Sequence, residues 1–128
     1  MTKEIIPSSG AFPLSKAVVH NDTYIMEISG QIGVNPQTGQ LEEGIKAQTS
    51  RVLEIIKEIL HLKGWSLKNV VKTRIFLLDM KDYAFMNEVY STYFSADYPA
   101  RFALAVKELP RNALIEIDCT ATGDTIKE

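Results

Sequence analysis

Two stretches near the C-terminal end, residues 99–106 and 113–120, alternate strictly between apolar positions and polar or small positions. Side chains of a β-strand point alternately to opposite faces, so this period of two predicts two strands. Residues 109–112 between them contain proline and asparagine and are typical of a turn. We therefore predict an antiparallel hairpin with one apolar face against the core and a second face that carries Arg101 and Glu116.

A period of 3.6 residues marks the middle of the chain. Residues 45–63 place apolar side chains on one stripe and charged side chains on the opposite side, which predicts an amphipathic helix. Gly64 is placed to end this helix in the left-handed conformation. A second helix is predicted to run to about residue 94, with Asp79 or Asp82 as its N-terminal cap.

The remaining patterns predict further strands around these helices. Residues 3–7 are typical of a short edge strand, residues 17–20 and 23–29 of a hairpin, and the β-branched residues 70–78 of a central strand. Together the elements predict one α+β domain over residues 1–128, with two helices packed on one face of a mixed sheet.

Two helices cover only one face of such a sheet, and the other face needs a second explanation. In the predicted register that face mixes small and apolar side chains with charges. It carries Arg101, Ala103, Ala105, Leu114, Glu116 and Thr120, together with Glu27 and Ser29. A face of this kind often packs against another subunit. We therefore expect a homo-oligomer, with room for sites where subunits meet.

Composition and charge narrow the classes of function. The chain of 128 residues is 45% hydrophobic and 23% charged, ordinary values for one globular domain. Its formal net charge of −2, with dispersed basic residues, argues against a nucleic-acid partner, because such proteins carry a basic patch. No apolar run is long enough for a membrane span, residues 1–10 lack a secretory pattern, and one cysteine cannot form an internal disulfide. We expect a cytoplasmic protein with no membrane partner.

Arg101 and Glu116 are the leading candidates for chemistry. In the predicted hairpin Asp118 lies opposite Arg101, and Glu116 is a diagonal neighbour within reach of Arg101 or of a shared ligand. A guanidinium is the natural fork for a ligand carboxylate, and a nearby carboxylate can hold or activate a water. A structural ion pair explains the same pattern, so the alternation alone leaves both interpretations open.

Other groups favour structural roles. Cys119 lies on the apolar face of its strand, which favours a buried thiol over a nucleophile. His20 and His61 are far apart in sequence and no Cys/His cluster has metal-ligand spacing, so we predict no metal. Residues 30–33 lack the third glycine and the following helix of a dinucleotide fingerprint, and a tight loop explains them.

An ordered set of motifs resembles one known family. The matching segments are Ser29-Gly30-Gln31-Ile32, Asn35-Pro36 with Thr38-Gly39, Asn69-Val70-Val71-Lys72-Thr73, Phe76-Leu77 with Asp79-Met80, Asn87-Glu88-Val89-Tyr90, Tyr93-Phe94, Pro99-Ala100-Arg101, Leu109-Pro110 and Ile115-Glu116-Ile117. From about residue 12 to residue 121, the chain resembles the RidA/YjgF family of enamine and imine deaminases, once described as translation inhibitors.

The resemblance implies a chorismate-mutase-like α+β fold and a homotrimer, whose three sheets form a central barrel with sites in the clefts between subunits. It implies hydrolysis of 2-aminoacrylate and related 2-imino acids to 2-keto acids and ammonia. No cofactor is implied, since imines already hydrolyse in water and orientation supplies much of the acceleration.

The resemblance also assigns roles to single residues. Arg101 would bind the substrate carboxylate, and Glu116 would position or activate the attacking water. Four further residues line or shape the implied site: Ser29, Gly30, Asn87 and Tyr90. Taken without the resemblance, Tyr90 favours a packing role, and a buried Asn87 would need hydrogen-bond partners and fix a loop.

Three positions depart from the family pattern. Phe12 and Leu14 replace the glycine and tyrosine of a Gly-Pro-Tyr-Ser motif, so Leu14 brings no hydroxyl to the neighbouring subunit's site. Ala103 stands where a cysteine is common. We expect a more apolar pocket, reshaped by Phe12, with a substrate range shifted toward bulkier imino acids or with weakened activity. The alternatives are a non-catalytic module that binds a keto or imino acid, and RNA cleavage, which the net charge disfavours.

Overall fold

The computed structural model describes residues 3–95 and 97–128. Within them, two helices pack against one face of a six-stranded mixed sheet, which confirms the predicted α+β architecture. The elements are β1 (Lys3–Pro7), β2 (Ser15–His20), β3 (Tyr24–Ile32), α1 (Gly44–His61), β4 (Val70–Leu77), α2 (Tyr83–Tyr93), β5 (Ala100–Ala105) and β6 (Ile115–Gly123). The strands follow the order β1-β2-β5-β4-β6-β3 across the sheet. Neither helix in this part of the chain is long and apolar enough to span a membrane.

Strand β4 lies at the centre of the sheet, as its β-branched sequence predicts, and it separates β5 from β6. It pairs in parallel with β5 and antiparallel with β6. The predicted hairpin of residues 99–106 and 113–120 is therefore wrong. The alternation identified both strands, but a backbone has two hydrogen-bonding edges and β4 offers one to each of them. The long connection between β5 and β6 passes the end of β4, where Val106 N–H donates to Leu77 O at 2.8 Å.

The observed register also reverses the predicted faces of β5. Arg101 lies opposite the buried Thr73, and Ala103 lies opposite the buried Ile75, so both point toward the helices. Glu116 lies opposite Phe76 and points to the open face. The two candidate residues therefore project from opposite faces of the sheet.

The open face is more apolar than the sequence predicted. Arg101, Ala103 and Ala105 leave it for the helix side, and Phe102 and Leu104, predicted as core, take their place. They remain 37% and 42% exposed, respectively. On this face Phe76 and Phe102 pack edge-on, with 5.8 Å between their ring centroids. A partner subunit that covers these side chains stays a prediction.

Strands β2 and β3 do not form the predicted hairpin either. Strand β2 pairs with β1 and meets β5 through the pair Ser15 and Ala100, whereas β3 pairs with β6. Their connection is tied to the end of β6, where the Thr122 hydroxyl donates to Asp22 at 2.5 Å. The prediction is wrong because β6, with nine residues, offers β3 a longer ladder than the six residues of β2.

Helix α1 buries the apolar stripe that its period predicts. Its fully buried apolar side chains are Val52, Leu53, Ile56 and Leu60. Leu53, which the helical period places at the margin of this stripe, is fully buried as well. Gly64 has φ +77° and ends the helical segment as predicted. Ahead of α2, the Asp79 carboxylate accepts from Lys81 N–H at 2.8 Å and caps the short turn that leads into the helix.

Candidate active site

Arg101 is a buried charge between strand β5 and helix α2. Its exposed fraction is 8%, and its guanidinium carbon lies 4.9 Å from the ring centroid of Tyr90 and 5.7 Å from that of Tyr83. Nη2 donates to the Tyr83 hydroxyl at 3.1 Å. Among the described residues, Nε and Nη1 have no hydrogen-bond partner. Burying an unpaired charge costs on the order of several kcal/mol, so this arrangement is typical of a site that receives an anion.

Tyr90 forms the floor beneath this guanidinium. Its ring is fully buried and stacks on Phe94 at 4.5 Å between centroids, and its hydroxyl shares a 2.9 Å hydrogen bond with Thr73. Burial raises the pKa of the Tyr90 hydroxyl above its ordinary value, so the group stays neutral and does not exchange protons near neutral pH. The predicted packing role is confirmed, and the ring face adds a cation–π contact to Arg101.

Asn87 lies on the same face of α2, between two residues that contact Arg101. Tyr83, Asn87 and Tyr90 are spaced at i, i+4 and i+7, and both tyrosines touch the guanidinium. Asn87 is 8% exposed, and neither its Nδ2 nor its Oδ1 has a partner among the described residues. Within the described residues the Asn87 side chain therefore holds no loop in place, and the predicted loop-fixing role is wrong. The Asn87 amide therefore offers an unpaired donor and an unpaired acceptor on the helix face whose tyrosines contact Arg101.

Glu116 belongs to a second cluster, which a bulge in β3 builds on the open face. The β3–β6 register passes from Ile28 opposite Cys119 to Gln31 opposite Ile117, so Ser29 and Gly30 form the bulge. A Cβ added at Gly30 would overlap Oε2 of Glu116 and lie 2.9 Å from its Cδ. The carboxylate therefore rests against the bare backbone of Gly30, with the exposed Ser29 beside it.

The two clusters cannot meet within one chain. Strand β4 separates Arg101 from Glu116, which puts their strands about 10 Å apart at roughly 4.8 Å per strand spacing. Along the direction of β4 they lie opposite Thr73 and Phe76, which adds a separation of about 10 Å in that direction. Their side chains also point to opposite faces of the sheet. The predicted diagonal contact is wrong, because it rested on a hairpin that does not form.

Asp118 has a different partner from the one predicted. It lies opposite Arg74 instead of Arg101, and Arg74 Nη1 donates to its Oδ1 at 2.8 Å. Arg74 Nη2 also donates to Thr120 at 3.2 Å. This pair sits on the open face, beside Phe76 and away from the Arg101 cluster. The alternation of β4 was the sequence signal for this ion pair, since it places Arg74 on the same face of that strand as Phe76.

A cavity of about 580 Å³ lies between the two helices, away from both clusters. Its lining includes Ser50, Lys57 and Tyr93. The hydroxyls of Ser50 and Tyr93 satisfy each other at 2.6 Å. Nε and Nη1 of Arg101 and both amide atoms of Asn87 lack such partners among the described residues, which makes the Arg101 cluster the better candidate for ligand binding.

Comparison with known proteins supplies the family. A family model described as Endoribonuclease L-PSP matches residues 6–123. The chain belongs to the RidA/YjgF family. A RutC family protein of Pyrococcus horikoshii, PH0854, is 46% identical over 85% of this chain and 86% of its own. The human 2-iminobutanoate/2-iminopropanoate deaminase is 41% identical over 85% of this chain and 79% of its own. The crystal structure of RidA from the Antarctic bacterium Psychrobacter sp. PAMC 21119 aligns with a TM-score of 0.75 and 38% identity, over 91% of this chain and 94% of that one.

Within this RidA/YjgF chain, the positions that depart from the family pattern lie around Arg101. Ala103 follows Arg101 on the helix side of β5 and packs against the core. Leu14 is half-buried next to Ser15, which begins β2. Phe12 is 54% exposed and packs edge-on against Tyr83, with the ring centroids 5.2 Å apart. Sequence reasoning missed Tyr83, although its place one helical turn before Asn87 indicated a shared helix face.

The RidA/YjgF chain keeps its one cysteine buried, as predicted. Cys119 is 1% exposed, on the helix side of β6. Burial raises the pKa of its thiol to about 12, which keeps it neutral. Residues 3–95 and 97–128 contain no group of three or more His, Cys, Asp or Glu side chains arranged to hold a metal ion.

Proposed function

We propose that this protein hydrolyses 2-imino acids, formed from enamines such as 2-aminoacrylate, to 2-keto acids and ammonia. The observation that carries the proposal is the buried guanidinium of Arg101, with Nε and Nη1 unpaired among the described residues. Relatives at 41% and 42% identity, the human and mouse proteins, carry the name 2-iminobutanoate/2-iminopropanoate deaminase. Their substrate class contains the carboxylate that a guanidinium fork recognises.

Arg101 binds the substrate carboxylate in this proposal. Hydrogen bonds between charged groups contribute roughly 1.5–3 kcal/mol each, more than neutral ones. Tyr90 supports the guanidinium from below, so it reaches the ligand already ordered. The amide of Asn87 offers a donor and an acceptor to the imine end of the substrate or to a water. These groups orient the substrate without contributing to proton transfer.

Glu116 positions the attacking water. The water oxygen forms a bond to C2 of the protonated imine, the C=N π electrons move to nitrogen, and the water gives a proton to the Glu116 carboxylate. Glu116 then returns this proton to nitrogen, and it takes the hydroxyl proton of the intermediate as the C2–N bond breaks and the keto oxygen forms. The departing ammonia accepts that proton as ammonium, which restores the Glu116 carboxylate. The steps consume one water and release one ammonia, and they balance without a cofactor.

The proposal includes a homotrimer in which each site joins two subunits. Arg101 and Glu116 diverge within one chain, so a shared substrate requires Glu116 of one subunit to face the Arg101 cluster of the next. The apolar open face, with Phe76, Phe102 and Leu104, is the surface that the other subunits cover. A head-to-tail contact of this kind closes into a ring when its rotation fits.

Imine decay tests the function. Imines are generated in situ by an amino-acid oxidase or a dehydratase, and their disappearance is followed with and without the purified protein. We expect acceleration by the wild type and a loss of at least about a hundredfold in Arg101→Ala, because the carboxylate loses a charged, bidentate partner. Arg111→Ala, which removes an exposed arginine, is the matched control. Equal rates for Arg101→Ala and wild type would refute this mechanism.

The second candidate is a module that binds a keto or imino acid without turning it over. The observation that favours it is Leu14, which is half-buried and carries no hydrogen-bonding side chain. Tight binding of a keto acid with no effect on imine decay would support it.

The shift toward bulkier, apolar imino acids stays a prediction, and comparing imines of several side chains tests it. A clear preference for 2-aminoacrylate would contradict that shift.

A further inference from the structure

Tyr83 gives Arg101 its one side-chain hydrogen bond among the described residues. It is the first residue of α2 and is half-buried, and its hydroxyl lies 3.1 Å from Arg101 Nη2. A guanidinium nitrogen can only donate, so the tyrosine oxygen is the acceptor. The hydroxyl thus restrains the Nη2 end of the buried guanidinium.

The geometry of a guanidinium decides what this restraint does. The group presents two edges to a bidentate ligand, and each edge uses one hydrogen of Nη2 together with a hydrogen of either Nε or Nη1. A hydroxyl on one hydrogen of Nη2 occupies one edge and leaves the other edge whole. Since both Nε and Nη1 are unpaired, the free edge offers two parallel donors in either case.

The ring of Tyr83 itself packs against Phe12. Phe12 packs edge-on against it at 5.2 Å, in the segment that leads into β2. Leu14 N–H donates to Phe12 O at 2.8 Å, which closes a tight turn and places the phenylalanine ring. Aromatic pairs in this arrangement favour one ring orientation. The segment before β2 therefore acts on Arg101 through Tyr83.

We propose that Tyr83 is a positioning residue, whose hydroxyl selects the edge of the Arg101 guanidinium that receives a ligand carboxylate. The ligand class is the 2-keto and 2-imino acids, so the inference rests on the proposed function for its ligand. It goes beyond that function in assigning carboxylate selectivity to a pair of residues, Arg101 and Tyr83. Leu14 has no hydroxyl, and Tyr83 is the hydroxyl that the structure places on the guanidinium.

Equilibrium binding of pyruvate and of its neutral analogue pyruvamide tests the inference without turnover. The wild type should bind pyruvate more tightly than pyruvamide. In Tyr83→Phe, which keeps the ring, we expect pyruvate affinity to fall roughly three- to tenfold, the effect of one hydrogen bond, while pyruvamide affinity stays within twofold. A merely structural role would weaken both ligands together. Tyr24→Phe, which alters a tyrosine 40% exposed at the other edge of the sheet, should change neither.

A double-mutant cycle separates positioning from general damage. Lysine has a single ammonium and no fork, so in an Arg101→Lys background Tyr83→Phe should change pyruvate affinity less than twofold. A full three- to tenfold loss in that background, or wild-type pyruvate affinity in Tyr83→Phe, would overturn the inference. Imine decay measured on the same proteins keeps the two proposals apart. Wild type that binds pyruvate selectively but leaves imines untouched would refute the function and leave the positioning role standing.

Discussion

The Arg101 cluster and the Glu116 cluster are organised by different physical means. Arg101 is buried among side chains, and its orientation depends on the rings of Tyr83 and Tyr90. Glu116 lies on the open face, and its orientation depends on backbone, through the bulge at Gly30. The Arg101 cluster has buried polar atoms that lack partners inside one chain, whereas Glu116 is a positioned carboxylate on an open surface. The first cluster lacks a carboxylate that could hold a water, and the second lacks a buried cation that could bind a ligand. This is the physical argument for a site completed between subunits.

Subunit mixing gives the largest expected effect on this comparison. Arg101→Ala and Glu116→Gln should each be nearly inactive in imine decay. Co-assembled in equal amounts, they should recover about a quarter of wild-type activity, because random head-to-tail contacts pair an intact Arg101 with an intact Glu116 in that share of sites. Purification with two different tags confirms that mixed oligomers form. No recovery in verified mixed oligomers would refute a site shared between Arg101 of one subunit and Glu116 of the next.

Gly30→Ala should be the next most damaging change, and it acts on the Glu116 side alone. The new Cβ overlaps the Glu116 carboxylate, so that group must move. A displacement of about 1 Å lowers kcat by roughly tenfold to a hundredfold, while pyruvate binding at Arg101 stays unchanged. The control is Gly10→Ala, whose Cβ would meet its nearest atom, Ser8 Oγ, at an ordinary 3.5 Å. An unchanged kcat in Gly30→Ala would show that Glu116 takes no part in the reaction.

Tyr90→Phe distinguishes the ring from the hydroxyl on the Arg101 side. The ring beneath the guanidinium is kept, so imine decay should stay within about twofold of wild type. The Thr73 hydroxyl loses its partner in a buried position, which lowers the free energy of unfolding by about 1–2 kcal/mol. Urea unfolding measures this, with Tyr24→Phe as the exposed control. A large loss of activity at unchanged stability would give the Tyr90 hydroxyl a direct part in the chemistry.

The buried Cys119 on β6 gives a smaller expected effect, which appears only at alkaline pH. Burial raises the pKa of the folded thiol from an ordinary 9.0 to about 12, so the unfolded chain loses this proton first. The contribution to stability is complete below pH 9 and disappears as pH rises toward 12. We expect the free energy of unfolding of wild type to fall faster across this window than that of Cys119→Ala. Parallel pH profiles would contradict the assignment.

Local patterns predicted most of the elements and fewer of their partners. The period of α1, the left-handed Gly64 and the central position of β4 were predicted and are confirmed. The two hairpins were wrong, because alternation identifies a strand without identifying its neighbour. The two faces of β5 were also predicted the wrong way round. An arginine in an alternating strand is expected to point outward unless the aromatic rings around it, as around Arg101, are known.

The sequence by itself determined the family, the α+β architecture and the residues that carry the resemblance, among them Arg101, Glu116, Asn87 and Tyr90. These follow from residue types and spacing, which are properties of the chain alone. Only the tertiary structure decided that β4 lies between β5 and β6, that Arg101 is buried against α2 beside Tyr83, and that Glu116 faces the other way. The reason is physical: strand order and burial depend on competition between distant segments for the same backbone edges and the same core, and no local pattern records its outcome.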